Sequence, residues 1–420
     1  MTRWLHFRLP ILLMAWATTL PAQVATERLS ALPSPLTLGD VIRIASERRD
    51  EIGVARARVR AAEARPRIVS ALDDPMLSPS VDHKPFAMGG ADRSVAIEQR
   101  IPLSGIRGHR RASALADVAR LRADASRAAL DVSVEAANAF FMLQERRRTA
   151  ALVAEQITFA RDVVGAANAR YASGTTPQSD VLRAEVEVAR LQALARALVA
   201  EVLGAEAMLN TSLAHDADTP VPPLVQVAFT QPFPSWPAIK AALTSRPELV
   251  AGLAEITRAE AEVQVMRDMF RPMATIRTGL ASTMAEGRGW MAMVGISLPI
   301  WRDKLRAGVA EALAMRAMSE ADFRAMTRMI EGDAAVAVNQ LKAVRERQLA
   351  LRDDVLPRAR MAIDPVVAGY AAGRLPLVSV IEAVQALWSV QSELISADAE
   401  LGLAWARVGR ALGSYEGISR

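Results

Sequence analysis

The 420-residue chain contains no cysteine. That absence excludes disulfides, a thiol nucleophile, cysteine-ligated zinc or iron–sulfur centres, and a lipid-modified cysteine near the N-terminus. Histidine is nearly as scarce. His6, His83, His109 and His215 are scattered, with no partner at ligand spacing, so composition does not point to metal chemistry. Aromatic residues are 5% of the chain, although 51% is hydrophobic. There is ample apolar surface for folding, but not the aromatic content usual in the core of a globular enzyme. Acids and bases are interspersed and nearly balanced, 46 against 51 with a formal charge of +5. No basic cluster is interleaved with aromatics, so no nucleic-acid partner is implied. Beyond the N-terminus no segment approaches the roughly 20 uninterrupted apolar residues of a transmembrane helix. A mature chain resident in a membrane has to enter it as a barrel.

The N-terminus carries an address. Arg3 and Arg8 precede the apolar stretch Leu9–Leu20, and Pro21-Ala22 follows, the order of a secretory signal cleaved after Ala22. Its removal takes both arginines and lowers the formal charge to +3.

The remaining chain is written twice. The motif Tyr171-x-x-Gly174-x-x-Pro177-x-x-x-Val181-x-x-Ala184 recurs as Tyr370-x-x-Gly373-x-x-Pro376-x-x-x-Val380-x-x-Ala383, at a constant offset of 199. Ile101-Pro102-Leu103 matches Leu298-Pro299-Ile300, and Glu51 matches Glu248, both at an offset of 197. The expected organisation is a signal at 1–22, a first repeat at 23–219, a proline-rich linker at 220–237, a second repeat at 238–413 and a tail at 414–420. Six prolines between 220 and 237 exclude a helix there.

Within each repeat, helix, hairpin and long helical hairpin follow in order. Thr37 is placed as the N-cap of an alanine-rich helix reaching about Arg65. Period-two chain follows. Val95, Ile97, Ile101 and Leu103 share one face, as do Trp290, Ala292, Val294, Ile296, Leu298 and Ile300. Weaker alternation at 76–81 and 274–280 supplies the partner strands, so the β-hairpins span 76–103 and 273–300, turning through Lys84–Arg93 and Ser282–Gly289. Four such strands expose an apolar face and unpaired edges. They either pack on helices or are pooled by several chains into a closed barrel.

Long helical patterns cover about Arg107–Ser173 and Arg302–Ala372. The returning helices carry heptad seams, Ala184 through Leu209 and Ala383 through Val408, whose alanines allow close helix approach. About 67 residues at 1.5 Å rise make a helix on the order of 100 Å. Gly174 and Gly373 suit left-handed C-terminal positions. Pro177 and Pro376 suit first helical turns, with Thr176 as N-cap. The tips therefore lie at 171–177 and 370–376. Pro357 and Pro365 should bend the second outgoing helix, whereas the first has no counterpart.

These paired tips, the Asp180-Val-Leu-x-Ala184 and Ser379-Val-Ile-x-Ala383 continuations and the duplicated strand–strand–helix order resemble the TolC family of outer-membrane efflux ducts, from about Leu36 to Gly413. Asp74-Pro-Met-Leu-Ser78, Gln99–Arg107 and Pro357 are similar to its heavy-metal efflux branch. The resemblance implies a mainly α fold with a small β part, in which three protomers build a twelve-stranded β-barrel on an α-helical barrel. It also implies a homotrimer in outer-membrane lipid, served by a periplasmic membrane-fusion adaptor and an inner-membrane pump of the resistance-nodulation-division type. The cargo would be solutes of that pump, heavy-metal cations among them; a type I secretion duct is the alternative, and a soluble secreted coiled-coil scaffold the rival from another class. The adaptor would dock at Gly174, Thr175, Thr176, Gly373, Arg374 and Leu375. The channel aperture would lie at Glu382, with Asp180 and Arg374 nearby, where a ring of acids favours cations. The alternative for Glu382 is an ordinary solvated first-turn acid favoured by the helix dipole. Ser379 stands where the first half has Asp180, and Arg183 where the second has Glu382, so an alternating salt-bridge gate is not implied.

Several further features have plainer readings. The 17 methionines serve as helix formers and core filler. Arg146-Arg147-Arg148 is a solvated helix face, and Gly89-Gly90 is a hairpin loop without phosphate-loop context. No acid, base and nucleophile arrangement stands out, so no catalysis, cofactor or metal is assigned.

Overall fold

The computed structural model describes residues 32–82, 91–229 and 232–413. The expected signal at 1–22, His83, the Gly89-Gly90 loop and the tail at 414–420 lie outside the described residues. Thr37 caps α1 (Leu38–Arg48) through a reciprocal capping box, its hydroxyl accepting from the Asp40 backbone at 3.1 Å. The expected single helix to Arg65 is in fact two. Arg49 takes an extended conformation (ψ 128°) between α1 and α2 (Asp50–Ser70). It is held there by Glu51 at 2.6 Å and, from a distant part of the chain, Glu135 at 3.0 Å. A tertiary ion pair thus overrides local helix propensity.

The strands are β1 (Met76–Asp82), β2 (Asp92–Pro102), β3 (Met273–Thr283) and β4 (Gly287–Ser297), in one antiparallel sheet of order β1-β2-β3-β4. The two hairpins join through β2 and β3, with Val95 opposite Leu280 and Ile101 opposite Ala274. β4 ends three residues before the expected Ile300, because Pro299 has no N–H to continue the ladder. The register sorts the side chains into two faces. Leu77, Val95, Ile97, Ile276, Leu280, Trp290, Val294 and Ile296 share one, while Ser78, Ser94, Gly279, Ala281, Gly289 and Gly295 lie on the other. The apolar face is open: Trp290 is 77% exposed, Leu280 70% and Val294 71%. Both edges of the sheet, β1 and β4, lack a partner strand among the described residues.

After β2 the chain enters α3 (Ile106–Ala172), 67 residues without a break, and returns through α4 (Gln178–Ser212). The second half repeats this order with α5 (Trp236–Leu243), α6 (Pro247–Asp268), α7 (Arg302–Ala350), α8 (Leu356–Met361), α9 (Ile363–Ala371) and α10 (Leu377–Leu412). Here the outgoing helix is interrupted. A π-helical turn at Leu351–Val355 joins α7 to α8 immediately before Pro357. Leu356 donates to the Leu351 carbonyl, five residues back, which shifts the ladder where proline supplies no donor. Pro365 falls in the first turn of α9, where a missing N–H costs nothing.

Helices pack as a layer in each half of their length. Near the sheet, α2 packs on α3, α3 on α6 and α6 on α7; toward the tips, α4 packs on α3, α3 on α10 and α10 on α7. The expected heptad seams are the packed faces. Ala184, Leu191, Leu198, Ala205 and Leu209 are buried on α4, and Ala397, Leu401, Ala404 and Val408 on α10. Midway along α3, Phe140 and Phe141 are fully buried edge to face at 5.5 Å. Phe141 fits against Gly402, where a Cβ would lie 2.5 Å from its ring. The proline-rich segment is extended and tied down. Leu36 donates its N–H to the Pro223 carbonyl and accepts from the Val225 N–H, both at 2.9 Å, and Arg147 donates to the carbonyls of Val221 and Pro222 at 2.7 Å. Phe229 stacks on Trp405 at 6.0 Å. No described helix is long and apolar enough to cross a membrane.

Candidate functional site

The two tips have nearly the same backbone. Gly174 and Gly373 take φ of +71° and +70°, the left-handed conformation that ends a helix and that only glycine adopts without strain. Their N–H groups donate to the carbonyls of Tyr171 and Tyr370, each at 2.9 Å. Thr175 N–H donates to the Arg170 carbonyl at 3.0 Å, and Arg374 N–H to that of Gly369 at 2.9 Å. The returning helices begin one position later than the sequence implies. Pro177 and Pro376 are the N-caps, not Thr176. The Thr176 hydroxyl is engaged elsewhere, donating to the Asp180 carboxylate at 2.6 Å.

Of the residues expected to meet an adaptor, Gly174, Thr175, Gly373 and Arg374 are exposed and Thr176 is half-buried. Leu375 folds back over Gly369, where an added Cβ would lie 2.7 Å from its Cδ1. Of the expected aperture residues, Asp180 is half-buried in the first turn of α4. Glu382 is exposed in the second turn of α10 rather than the first, where the helix dipole favours an acid less. Among the described residues Asp180, Arg374 and Glu382 form no ion pair with one another, and Asp180 accepts from Thr176 instead.

The structure adds a contact that the sequence reading missed. Arg170, at the end of α3, places its guanidinium 4.5 Å from the centre of the Tyr370 ring and donates to the Tyr370 carbonyl. It thereby joins the first tip to the second. Gly373 lies beside it, a Cβ built there coming into ordinary contact with Arg170 Nη2 at 3.5 Å. Tyr370 is buried and its hydroxyl has no hydrogen-bond partner among the described residues. Burial pushes the Tyr370 phenol above its ordinary pKa; the Arg170 charge opposes this and the Asp180 charge adds to it. One signal was available. The duplicated motif departs from itself just before the tyrosine, Arg170-Tyr171 against Gly369-Tyr370. Beneath the contact, Ala184, Leu377, Val380 and Val384 form a small core, walled by Phe159 and Trp388 edge to face at 6.2 Å. Among the described residues no group of three or more His, Asp or Glu converges as a metal site would need.

The profile of the outer membrane efflux protein family matches residues 41–215 and 238–414. The chain is 25% identical over 271 residues to the cobalt-zinc-cadmium resistance protein CzcC of Cupriavidus metallidurans, covering 62% of both chains. It is 28% identical over 290 residues to the pyoverdine export outer membrane protein OpmQ of Pseudomonas aeruginosa, covering 66% of this chain and 58% of that one. It thus spans about three-fifths of the length of these curated relatives. Among solved structures, the outer-membrane channel OprN has the same fold, with a TM-score of 0.78 at 18% identity over 90% of both chains. Family and fold are those of channel proteins rather than enzymes. With most of both halves matched by one profile, the chain belongs to the outer membrane efflux protein family, and its place is the Gram-negative outer membrane.

Proposed function

We propose that the protein is the passive outer-membrane exit duct of a tripartite efflux pump. The observation that carries this reading is the sheet: an apolar face left open to solvent, an opposite face of small, polar and methionine side chains, and two edges unpaired among the described residues. A single chain in water has no means of covering that face. Three copies, with β4 of each pairing with β1 of the next, close a twelve-stranded barrel whose apolar side meets lipid and whose polar side lines a passage. Strands β2, β3 and β4, at 11 residues each, have the length such a barrel needs. The helix layers have open flanks too. Leu182, Val186, Val199 and Leu203 are exposed along α4, and Met329 and Val336 along α7; in a trimer α4 of one protomer faces α7 of the next.

On this reading each repeat supplies one hairpin to the barrel and one helical hairpin to the periplasmic tunnel. The tips receive a membrane-fusion adaptor, an inner-membrane pump drives transport, and Glu382 lines the aperture as three symmetry-related carboxylates. The name of the CzcC relative favours heavy-metal cargo, and that of OpmQ favours pyoverdine. Cargo choice is accordingly placed in the pump upstream. Extraction of a detergent-stable trimer from outer membranes, conducting in planar bilayers, is the expected result; a water-soluble periplasmic monomer would overturn the proposal and favour the scaffold. For cargo, a strain lacking the gene should become sensitive to cobalt, zinc and cadmium salts if metals are exported, and unchanged sensitivity removes that reading.

A further inference from the structure

Where the sheet gives way to the helices, a cavity of about 390 Å³ opens. Pro102, Met273 and Ser297 line it. These three pair across β2, β3 and β4 on the polar face of the sheet. Arg107 and Arg110 from the start of α3 and Arg271, just past the end of α6, line the same cavity. Arg100, two residues before Pro102 on β2, shares the polar face, 59% exposed and 3.8 Å from the Glu98 carboxylate beside it.

The charges here are only partly committed. Arg107 donates its Nε to the Ser70 carbonyl at 2.7 Å, which fixes the guanidinium and leaves both terminal nitrogens available. Arg110 has no ion-pair or hydrogen-bond partner among the described residues. Arg271 is 65% exposed and no nearer than 3.8 Å to a carboxylate oxygen of Asp268. Two acids line the cavity, Asp73 and Asp268. Asp268 is itself buried between Arg271 and His109, the latter at 3.7 Å. Arg107 caps the last carbonyl of α2, but no contact among the described residues accounts for Arg110. α3 starts with no side-chain cap and no acid in its first turn, and basic groups at the positive end of a helix dipole are locally unfavourable. A local rule broken without a stabilising return marks a functional position.

We propose that this cavity is an anion-binding station in the passage, taking solutes that carry carboxylate or phosphate groups, anionic metal chelates included. Planar guanidinium forks match both groups bidentately. Leu72 and Leu298 in the same wall offer an apolar surface for the body of the solute. The proposal rests on the barrel reading, which makes the polar face the lumen. Three copies would ring the passage with arginine and focus a positive field there. The duct is then bipolar, acidic at Glu382 and basic at the barrel. A free metal cation meets a barrier at the second ring that a chelated one does not.

The test uses the full-length trimer in planar bilayers under a KCl gradient, with pyrophosphate as the probe anion. Arg107→Gln/Arg110→Gln/Arg271→Gln should lower the chloride-to-potassium permeability ratio by roughly threefold or more and weaken pyrophosphate block about tenfold. Unchanged ratio and block in a conducting triple variant overturns the proposal. So does an equal change in Arg306→Gln, whose 70% exposed side chain on α7 lies outside the cavity. If the triple variant does not assemble, Arg110→Gln alone carries the test, since its side chain holds no partner in place. A wild-type protein that never conducts brings down the duct reading itself. In that case calorimetric titration of the detergent-solubilised protein with pyrophosphate decides the cavity, binding weakened about tenfold in the variant supporting it and equal binding refuting it.

Discussion

Val294→Lys probes the exposed belt directly. Val294 lies opposite Ile276 on β4, on the apolar face, and is 71% exposed. At about 3.3 Å per residue it stands some 13 Å along the strand from Trp290 and about 7 Å from Ile296, inside the apolar stretch. A lysine at the bilayer midplane of a barrel costs about 2–4 kcal/mol. Three symmetric copies, too far apart to share partners, sum to about 6–12 kcal/mol. That is comparable with the entire stability of a typical domain, about 5–15 kcal/mol, so the trimer should fail to insert. Met291→Lys is the matched control. It lies three residues away on the polar face opposite Gly279, which has no side chain to displace, and should cost less than about 1 kcal/mol. The assay is urea unfolding in phospholipid vesicles together with the fraction of trimer surviving unheated detergent gels. A Val294→Lys protein that inserts like wild type, or a Met291→Lys protein equally damaged, would refute the assignment of faces and the barrel with it.

Other perturbations test other parts of the molecule. Gly373→Val imposes a β-branched residue at φ +70°, a local strain of about 1–2 kcal/mol. It should impair adaptor capture while leaving the trimer intact on gels; loss of the trimer would show that the glycine serves assembly. Glu382→Ala removes an exposed carboxylate and should change stability by no more than about 0.5 kcal/mol. It should nevertheless shift reversal potential away from cation preference, and an unmoved potential takes Glu382 out of the aperture. His215 is buried with its Nε2 at 2.8 Å from Arg48 Nη1; burial first, then Arg48, pushes its pKa below the ordinary value, with Asp216 opposing. A depressed pKa means that the unfolded chain takes up the proton first, so this stability is complete above about pH 6.5 and is lost as pH falls below it. Melting temperature should therefore drop between pH 7.5 and 5.5 in wild type and drop less in His215→Gln; equal drops would discard the His215 contribution.

How far the sequence was legible follows the range of the interactions involved. The face of each strand and the packed seam of each returning helix were readable, because periods of 2 and 3.5 are local and the burial of Leu191, Leu198 and Leu209 repeats them. The doubled tyrosine–glycine tip was readable for a similar reason, since a left-handed C-terminal position selects glycine whatever surrounds it. Non-local determinants were missed. The break at Arg49 depends on Glu135, 86 residues away. Arg170 acquires its role only because the fold brings it to Tyr370, 200 residues on. Thr176 looked like an N-cap because its residue type suits one, yet Asp180 four residues later offered its hydroxyl a charged acceptor, a stronger partner than a backbone amide. The arginines of the junction cavity were invisible as a group, being spread between α3 and α6 with no shared spacing.

The departures from internal symmetry are also where the two halves differ in mechanics. α3 runs 67 residues unbroken, and its packing partners on both sides, α4 and α10, are regular helices. The matching path through α7, α8 and α9 carries a π-helical turn at Leu351–Val355 and a discontinuity at Ala362. A shifted hydrogen-bond ladder is a local weakness, and in a helix it is a natural place for direction to change. Everything distal to it toward the second tip, including Tyr370 and Gly373, is held by packing on α10 and by Arg170 from the neighbouring hairpin. In physical terms the first hairpin is a strut and the second a jointed arm fastened to it. If three such arms bound an aperture, displacing them requires undoing the Arg170 contacts with the Tyr370 ring and carbonyl, together about 1–3 kcal/mol per protomer, and loosening the packing of Phe159 on Trp388. That is a coupling a docked partner can supply through contacts at the exposed tip residues. It follows that Arg170→Ala should loosen the second tip without loosening the first, an asymmetry that hydrogen exchange at Ala371–Arg374 against Ala172–Thr175 would resolve. Equal protection in the two segments after the substitution would show that the joint, rather than the arginine, governs the arm.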